Sequence, residues 1–205
     1  MRAPGPPDRQ IPRRRVADPG EVEVFVANEQ DDHLVDLNRY RDLCGHVLAG
    51  EGVRGEAELA LVFIDEATMT ELNQHHMGGQ GPTDVLAFPI DDHFVRAGRS
   101  PDHASRRPPR REPIPTPGPL LLGDIVVSPV VAARNAPDNA GSYPGHDGSL
   151  GDEIDLLVVH GVLHVLGMDH AEEAERVAMQ AAERQYLASF RSSGSGGETT
   201  EESPQ

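Results

Sequence analysis

His160-Gly161-Val162-Leu163-His164-Val165-Leu166-Gly167-Met168-Asp169-His170 decides how the rest of this chain is read. Three histidines fall within eleven residues. His160 and His164 are four apart, so on an α-helix their side chains share one face, one turn above the other. Two imidazoles placed in this way can converge on one metal ion. Gly167 supplies the left-handed conformation that ends helices at little cost. The chain can turn there and bring His170 back to the same ion. Three nitrogens on a tetrahedral metal leave one position for water, the pattern of catalytic rather than structural zinc. An i, i+4 histidine pair arises by chance. A third histidine just beyond a glycine stop is much harder to obtain without a metal to bind.

Working outward, Asp152 is the expected N-cap of the helix that carries these histidines, over about 153–166. That helix is apolar nearly all round (Ile154, Leu156, Leu157, Val158, Val159, Val162, Leu163, Val165, Leu166), so it belongs in the core. A last helix over about 172–190 presents Met179, Ala182, Tyr186 and Phe190 on one side. Upstream, Leu120-Leu121-Leu122-Gly123-Asp124-Ile125-Val126-Val127 reads as a strand, followed by a short helix with Ser128 as cap and Pro129 at its first position. Thr83-Asp84-Val85-Leu86-Ala87-Phe88-Pro89-Ile90 is another strand, preceded by the glycine-rich Met77-Gly78-Gly79-Gln80-Gly81-Pro82. Glu58-Leu59-Ala60-Leu61-Val62-Phe63-Ile64 reads as an interior strand, and Asp65 caps a helix reaching about His75, with Met69 and Leu72 facing inward. The first strand alternates through Glu21-Val22-Glu23-Val24-Phe25-Val26. Asp31 or Asp32 then caps a helix over about 33–49, with Leu34, Leu37, Leu43, Val47 and Leu48 as its apolar stripe and Gly50 and Gly52 as its stop.

The order β-α-β-α-β-β-α-α-α implies one α+β domain, a mixed four-stranded sheet packed with helices and the histidine-bearing helix at its centre. Its bounds are expected at about 21–190, with long loops at 91–118 and 136–149. Residues 1–20, rich in Pro and Arg, read as a disordered arm, and 191–205, rich in Ser, Gly and Glu, as a disordered tail.

Formal net charge is −16, and all 18 basic residues are arginine. An acidic chain of this kind is not a general polyanion binder. The charge is uneven, however: residues 1–20 hold five Arg against two Asp, and 91–118 hold six Arg against four acids. Any nucleic acid must therefore be held locally. Cys44 is the only cysteine, which excludes an intrachain disulfide and fits a reducing compartment. There is no apolar run of the ~20 residues that a membrane span needs, and no apolar segment of a signal peptide near Met1. The expected location is the cytoplasm.

The spacing His-x₃-His-x₂-Gly-x₂-His equals that of metzincin metalloproteases. In such enzymes the residue after the first histidine is the glutamate that takes a proton from water. Here it is Gly161, which disfavours peptide hydrolysis. Phosphodiester cleavage depends less on that one residue, because a metal can activate the nucleophile and polarise a phosphoryl oxygen together.

The segment 160–170 resembles the signature of the YbeY-type rRNA maturation factors, bacterial zinc-dependent single-strand endoribonucleases. Gly81-Pro82-Thr83-Asp84-Val85-Leu86-Ala87-Phe88-Pro89 is similar to that family's segment before its third strand, and Leu122-Gly123-Asp124-Ile125 to its fourth. The matches keep their order and spacing over about 21–190, apart from the two loops. The resemblance implies a cytoplasmic enzyme acting in 3′-end maturation of small-subunit ribosomal RNA and in ribosome quality control. It implies one zinc ion on His160, His164 and His170, with zinc-held water acting at the scissile phosphate. Implied partners are single-stranded ribosomal RNA and the small ribosomal subunit, with ribosomal proteins or ribosome-associated GTPases as further candidates.

One departure stands out. The family often carries an arginine before Pro-Thr that is proposed to steady the phosphate, and Met77 stands there. His75, His76 or loop arginines such as Arg96 are the candidates to replace it. Asp124 and Asp169 are candidates to accept the second N–H of a metal-bound histidine, Asp169 being equally suited to a turn. Asp84 is read as structural. Three readings remain: the metal-dependent endoribonuclease, a non-catalytic zinc-containing ribosome assembly factor, and a metzincin-like metalloprotease.

Overall fold

Strand β2 (Ala57–Phe63) lies inside the sheet, with Ala57, Leu59, Leu61 and Phe63 buried and the residues between them half-buried. This is the period-two pattern of a pleated strand. β1 (Val22–Asn28) pairs with it in parallel on one side, and β4 (Leu120–Val127) pairs in parallel on the other. β3 (Val85–Pro89) runs antiparallel to β4, giving the order β1-β2-β4-β3. The helices are α1 (Leu37–Gly50), α2 (Glu66–Met77), α3 (Pro129–Asn135), α4 (Leu150–Val165) and α5 (Glu173–Gly194). The α+β architecture and element order are those that the sequence implies. The computed structural model describes residues 22–90 and 118–194. The expected arm, nearly all of the 91–118 loop including Arg96, and the tail from 195 onward lie outside the described residues.

The two faces of the sheet are covered unequally. Leu59, Leu61, Phe63, Ile125 and Val127 join residues of α1, α4 and α5 in the main core. Val62, Leu86, Phe88 and Val126 point the other way, into a smaller cluster with Ile64, Met69 and Leu72. So α4 covers one face and α2 the other. At Glu58/Leu59 the β2–β4 register slips by one residue. Gly123 stands opposite this slip with φ of 153°, and a Cβ there would collide with the Phe88 carbonyl of β3. Glycine is what lets β3 stay joined to β4 beside the bulge.

α4 is the central element. Ile154, Val158, Val159, Val162 and Leu163 are almost wholly buried, and full burial of each such side chain contributes roughly 1.5–3 kcal/mol. Its N-terminus corrects the expected cap. Ser149, not Asp152, is the N-cap, its Oγ accepting from the Asp152 amide at 3.3 Å. Asp152 lies inside the first turn, where its carboxylate accepts from the Asp147 amide at 2.9 Å and pairs with Arg191.

α1 also begins later than expected. The Gln30 side chain donates to Asn28 Oδ1 and to the His33 carbonyl and accepts from the His33 amide, all at 2.7–2.8 Å. This turn holds 28–33 out of a helix, and Leu34, assigned to the apolar stripe, is fully exposed. Asp36 is the cap instead, Oδ1 accepting from the Asn38 and Arg39 amides at 3.1 Å. Leu43, Val47 and Leu48 are buried as expected. Asp65 caps α2 through the Thr68 amide at 2.8 Å, also as expected. Ser128 has the backbone of an N-cap, but its hydroxyl makes no capping bond. At the other end, α5 continues past Phe190 to Gly194, so 191–194, expected in the tail, belong to the helix. Arg191 anchors this turn by donating to the Gly145 carbonyl at 2.8 Å and to Tyr143 Oη at 3.2 Å. The 136–149 loop is likewise tied down, with Ala136, Tyr143 and His146 buried. Among the described residues, no helix is long and apolar enough to cross a membrane.

The corrected cap is directly testable. Asp36→Ala is expected to lower stability by about 1 kcal/mol, read as a shift of the urea midpoint at unchanged slope. Asp31→Ala and Asp32→Ala are expected to leave it within about 0.5 kcal/mol of wild type.

Candidate metal centre

α4 ends where the histidine motif needs it to end. The Met168 amide donates to the Leu163 carbonyl and the Gly167 amide to the His164 carbonyl, both at 2.9 Å. Gly167 is left-handed, with φ of 83°. This pair of bonds is the Schellman arrangement, which satisfies the last carbonyls of the helix while reversing the chain. The Asp169 carboxylate accepts from the His170 amide at 2.7 Å and shapes the same turn.

The turn brings His170 back over α4. Ring centroids lie 4.5 Å apart for His160 and His164, 5.0 Å for His164 and His170, and 5.7 Å for His160 and His170. One nitrogen from each lies within 4.8 Å of the other two. Among the described residues, no fourth side chain joins this group. His160 is oriented from behind: its Nδ1 lies 2.8 Å from Glu183 Oε1 of α5. With the carboxylate accepting, Nδ1 carries the proton and Nε2 keeps its lone pair for the cluster. Burial, and then the neighbouring His160 and His170, push the His164 pKa down to about 4. His164 is therefore neutral at pH 7, the form that binds metal. The donor set, its convergence and the oriented imidazole all fit a borderline ion such as zinc.

Glu183 was not among the expected residues. Asp124 and Asp169 were the candidates to orient a histidine, and neither does so here. Pleating places Asp124 on the opposite face of β4 from Ile125, where it is exposed. Asp169 Oδ1 accepts from the His170 amide instead of from an imidazole. A signal for Glu183 does exist in the sequence: an acid at i+4 from Met179 and i−3 from Tyr186 sits in the apolar stripe of α5. A carboxylate in such a stripe needs a buried partner.

His75 and His76 are not brought to the centre. Both are exposed at the end of α2, and His76 packs edge-on against Phe88 at 4.9 Å. Phe88 belongs to the cluster on the far face of the sheet from α4. Met77 beside them is 63% exposed. Asp84 plays the structural part expected of it, accepting from the Val85 amide and from Asn135 Nδ2, both at 2.9 Å.

Gly161 has a packing reason to be glycine. A Cβ there would lie 2.7 Å from Ile125 Cγ2, so this position faces the sheet and not the histidines. A glutamate at 161 would be driven into the core, which supports the case against peptide hydrolysis.

A second polar network, unforeseen in the sequence, borders the same cleft. Glu153 is fully buried; it accepts from Asn139 Nδ2 at 2.7 Å and pairs with His146 Nε2 at 3.0 Å. The Gly148 amide donates to His146 Nδ1 at 3.0 Å. Nε2 must then carry the proton and donate to Glu153. These bonds fasten the 136–149 loop to the first turn of α4.

Two outcomes follow from this geometry. Glu183→Ala is expected to keep the fold and to weaken zinc binding about 10- to 100-fold, measured by competition with a chelating dye. In zinc-free protein, His164 titrates at about 4 when folded against 6.5 as its ordinary value. Between these values the unfolded chain binds the extra proton, so this stability is complete above pH 6.5 and is lost as pH falls toward 4. Urea midpoints across that range are expected to fall less steeply for His164→Asn than for wild type.

Sequence comparison identifies the chain's relatives. A family model described as Endoribonuclease YbeY matches residues 25–191. The chain is 42% identical over 171 residues to the Endoribonuclease YbeY of Salinispora tropica, covering 83% of this chain and 98% of that protein. It is 44% identical over 171 residues to that of Mycolicibacterium smegmatis, covering 81% of this chain and 82% of that one. Against the Frankia casuarinae protein of the same description, identity is 39% over 167 residues, with 82% and 74% covered. As its motifs led one to expect, the chain belongs to the YbeY endoribonuclease family.

Proposed function

We propose that this protein is a zinc-dependent endoribonuclease that cleaves single-stranded RNA, and that it acts in the cytoplasm on small-subunit ribosomal RNA during 3′-end maturation and quality control. The observation that carries this reading is the three-histidine group with Glu183 behind it and, among the described residues, no fourth side chain closing it. A structural zinc site is normally closed by four protein ligands, whereas an open position serves chemistry.

His160, His164 and His170 would hold the ion. When bound, zinc supplies Lewis acidity and a nucleophile at neutral pH. The protein's own part is to bring three imidazoles together and fix their orientation. Glu183 sets the His160 tautomer, burial keeps His164 deprotonated, and the Gly167 turn delivers His170. The apolar body of α4 beneath the cluster excludes water from that side and holds the two helical histidines in fixed register. The family to which the chain belongs supports RNA as the polymer. The ribosomal setting rests on the sequence resemblance.

A second reading has its own support. A zinc-containing assembly factor without catalysis would have the same ligands, and Met77 places an uncharged side chain where the family often has a cation. Bound metal and RNA cleavage separate the two. Wild type is expected to hold about one zinc per chain and to cut single-stranded ribosomal RNA, and His164→Ala to remain folded while losing both. Zinc in wild type with no cleavage under any ionic condition would favour the assembly factor.

A further inference from the structure

We propose that Arg176 is the cation that receives a substrate phosphate at the mouth of the metal cleft. This deepens the function proposed above and rests on RNA being the ligand. The cleft, about 360 Å³, is lined by His160 and His170 of the histidine group and by residues of α5. From α5 it is lined by Arg176, Gln180 and Glu183, at i, i+4 and i+7, so these form one stripe along the helix. Glu183 marks the metal end through His160. Arg176 stands two turns toward the other end, a rise of about 10 Å, which a guanidinium on its long stem partly closes.

Charge gives Arg176 its role. Apart from His160 and His170, the other titratable side chains lining the cleft are carboxylic acids, Asp84, Glu153 and Glu183. Each is committed inside the protein: Asp84 to Asn135 and the Val85 amide, Glu153 to Asn139 and His146, Glu183 to His160. A polyanion entering such a cleft requires a counter-charge there, because affinity for a nucleic acid backbone rests on phosphate neutralisation. Among the described residues that line it, Arg176 is the side chain with a permanent positive charge.

Its present partner is one that a phosphate can displace. Arg176 donates Nε and Nη2 to the Glu173 carboxylate three residues earlier, at 2.6–3.1 Å. That pair is exposed on both sides, with Arg176 49% and Glu173 73% accessible. Exposed pairs of this kind are weak and screened by salt. The planar fork that meets two carboxylate oxygens meets two phosphate oxygens equally well. Glu173 therefore parks the guanidinium at the cleft rim until a phosphate takes its place.

The test uses full-length, zinc-loaded protein and a short single-stranded RNA with cleavage-resistant phosphorothioate linkages, with binding followed by fluorescence anisotropy across a salt series. Arg176→Ala is expected to weaken binding about tenfold or more and to lower the salt slope by about 0.7, with zinc content unchanged. Arg176→Lys is expected to restore the slope but only part of the affinity. Glu173→Gln, which frees the guanidinium, is expected to tighten binding about 1.5- to 5-fold. With cleavable RNA, Arg176→Ala is expected to raise KM more than it lowers kcat. Arg176→Ala with wild-type affinity and slope overturns the proposal, as does a wild type that binds no single-stranded RNA. Arg176-dependent binding without cleavage by wild type supports this site and removes the endoribonuclease reading instead.

Discussion

The burial of α4 is the constraint on which everything else depends. One helix has to satisfy the hydrophobic core on most of its circumference and still leave a strip for polar chemistry. Val158, Val159, Val162 and Leu163 are sealed against the sheet and its neighbouring helices, and Gly161 lets α4 approach Ile125 closely. The remaining strip carries Glu153, His160 and His164. Because packing fixes the rotation of α4 about its own axis, it also fixes where the two imidazoles point. A metal site built on such a helix inherits the rigidity of the core.

The elements around α4 then divide the labour. The Gly167 turn contributes the third histidine, α5 contributes Glu183, and the 136–149 loop closes the N-terminal end through His146 and Asn139. Glu183 sits about two helical turns beyond Arg176, so one face of α5 holds His160 at one end and, in the role proposed, offers a cation at the other. The strongly acidic balance of the chain is compatible with an RNA ligand on these terms. Carboxylates lining the cleft bond to internal partners, and in the role proposed for it Arg176 supplies the counter-charge for a phosphate.

How much of this was legible in the sequence depended on the range of the interaction. The histidine spacing, the role of Gly167 and the strand from Leu120 to Val127 are local patterns, and all three are found as read. Helix starts were read less well, because Asp31, Asp32 and Asp36, or Ser149 and Asp152, are chemically equivalent caps. What selects among them is the Gln30 turn in one case and the pull of Arg191 on Asp152 in the other. The partner of His160 was missed for a deeper reason. Glu183 becomes its neighbour only when α5 folds back across α4, whereas Asp124 and Asp169 were near in sequence or motif. Strand pleating turns Asp124 away, and Asp169 Oδ1 bonds to the His170 amide in the turn. His75 and His76 were candidates to replace the family arginine where Met77 stands, but His76 packs on Phe88, on the face of the sheet away from α4.

The central claim is that three histidines hold a metal and leave one position open. Zinc K-edge X-ray absorption on the purified protein tests it most directly, since the scattering shells count and identify the ligands. Three imidazole nitrogens at about 2.0–2.1 Å with one further light-atom ligand from solvent is the result that the geometry predicts. Four protein ligands, or a sulfur in the shell, would contradict it.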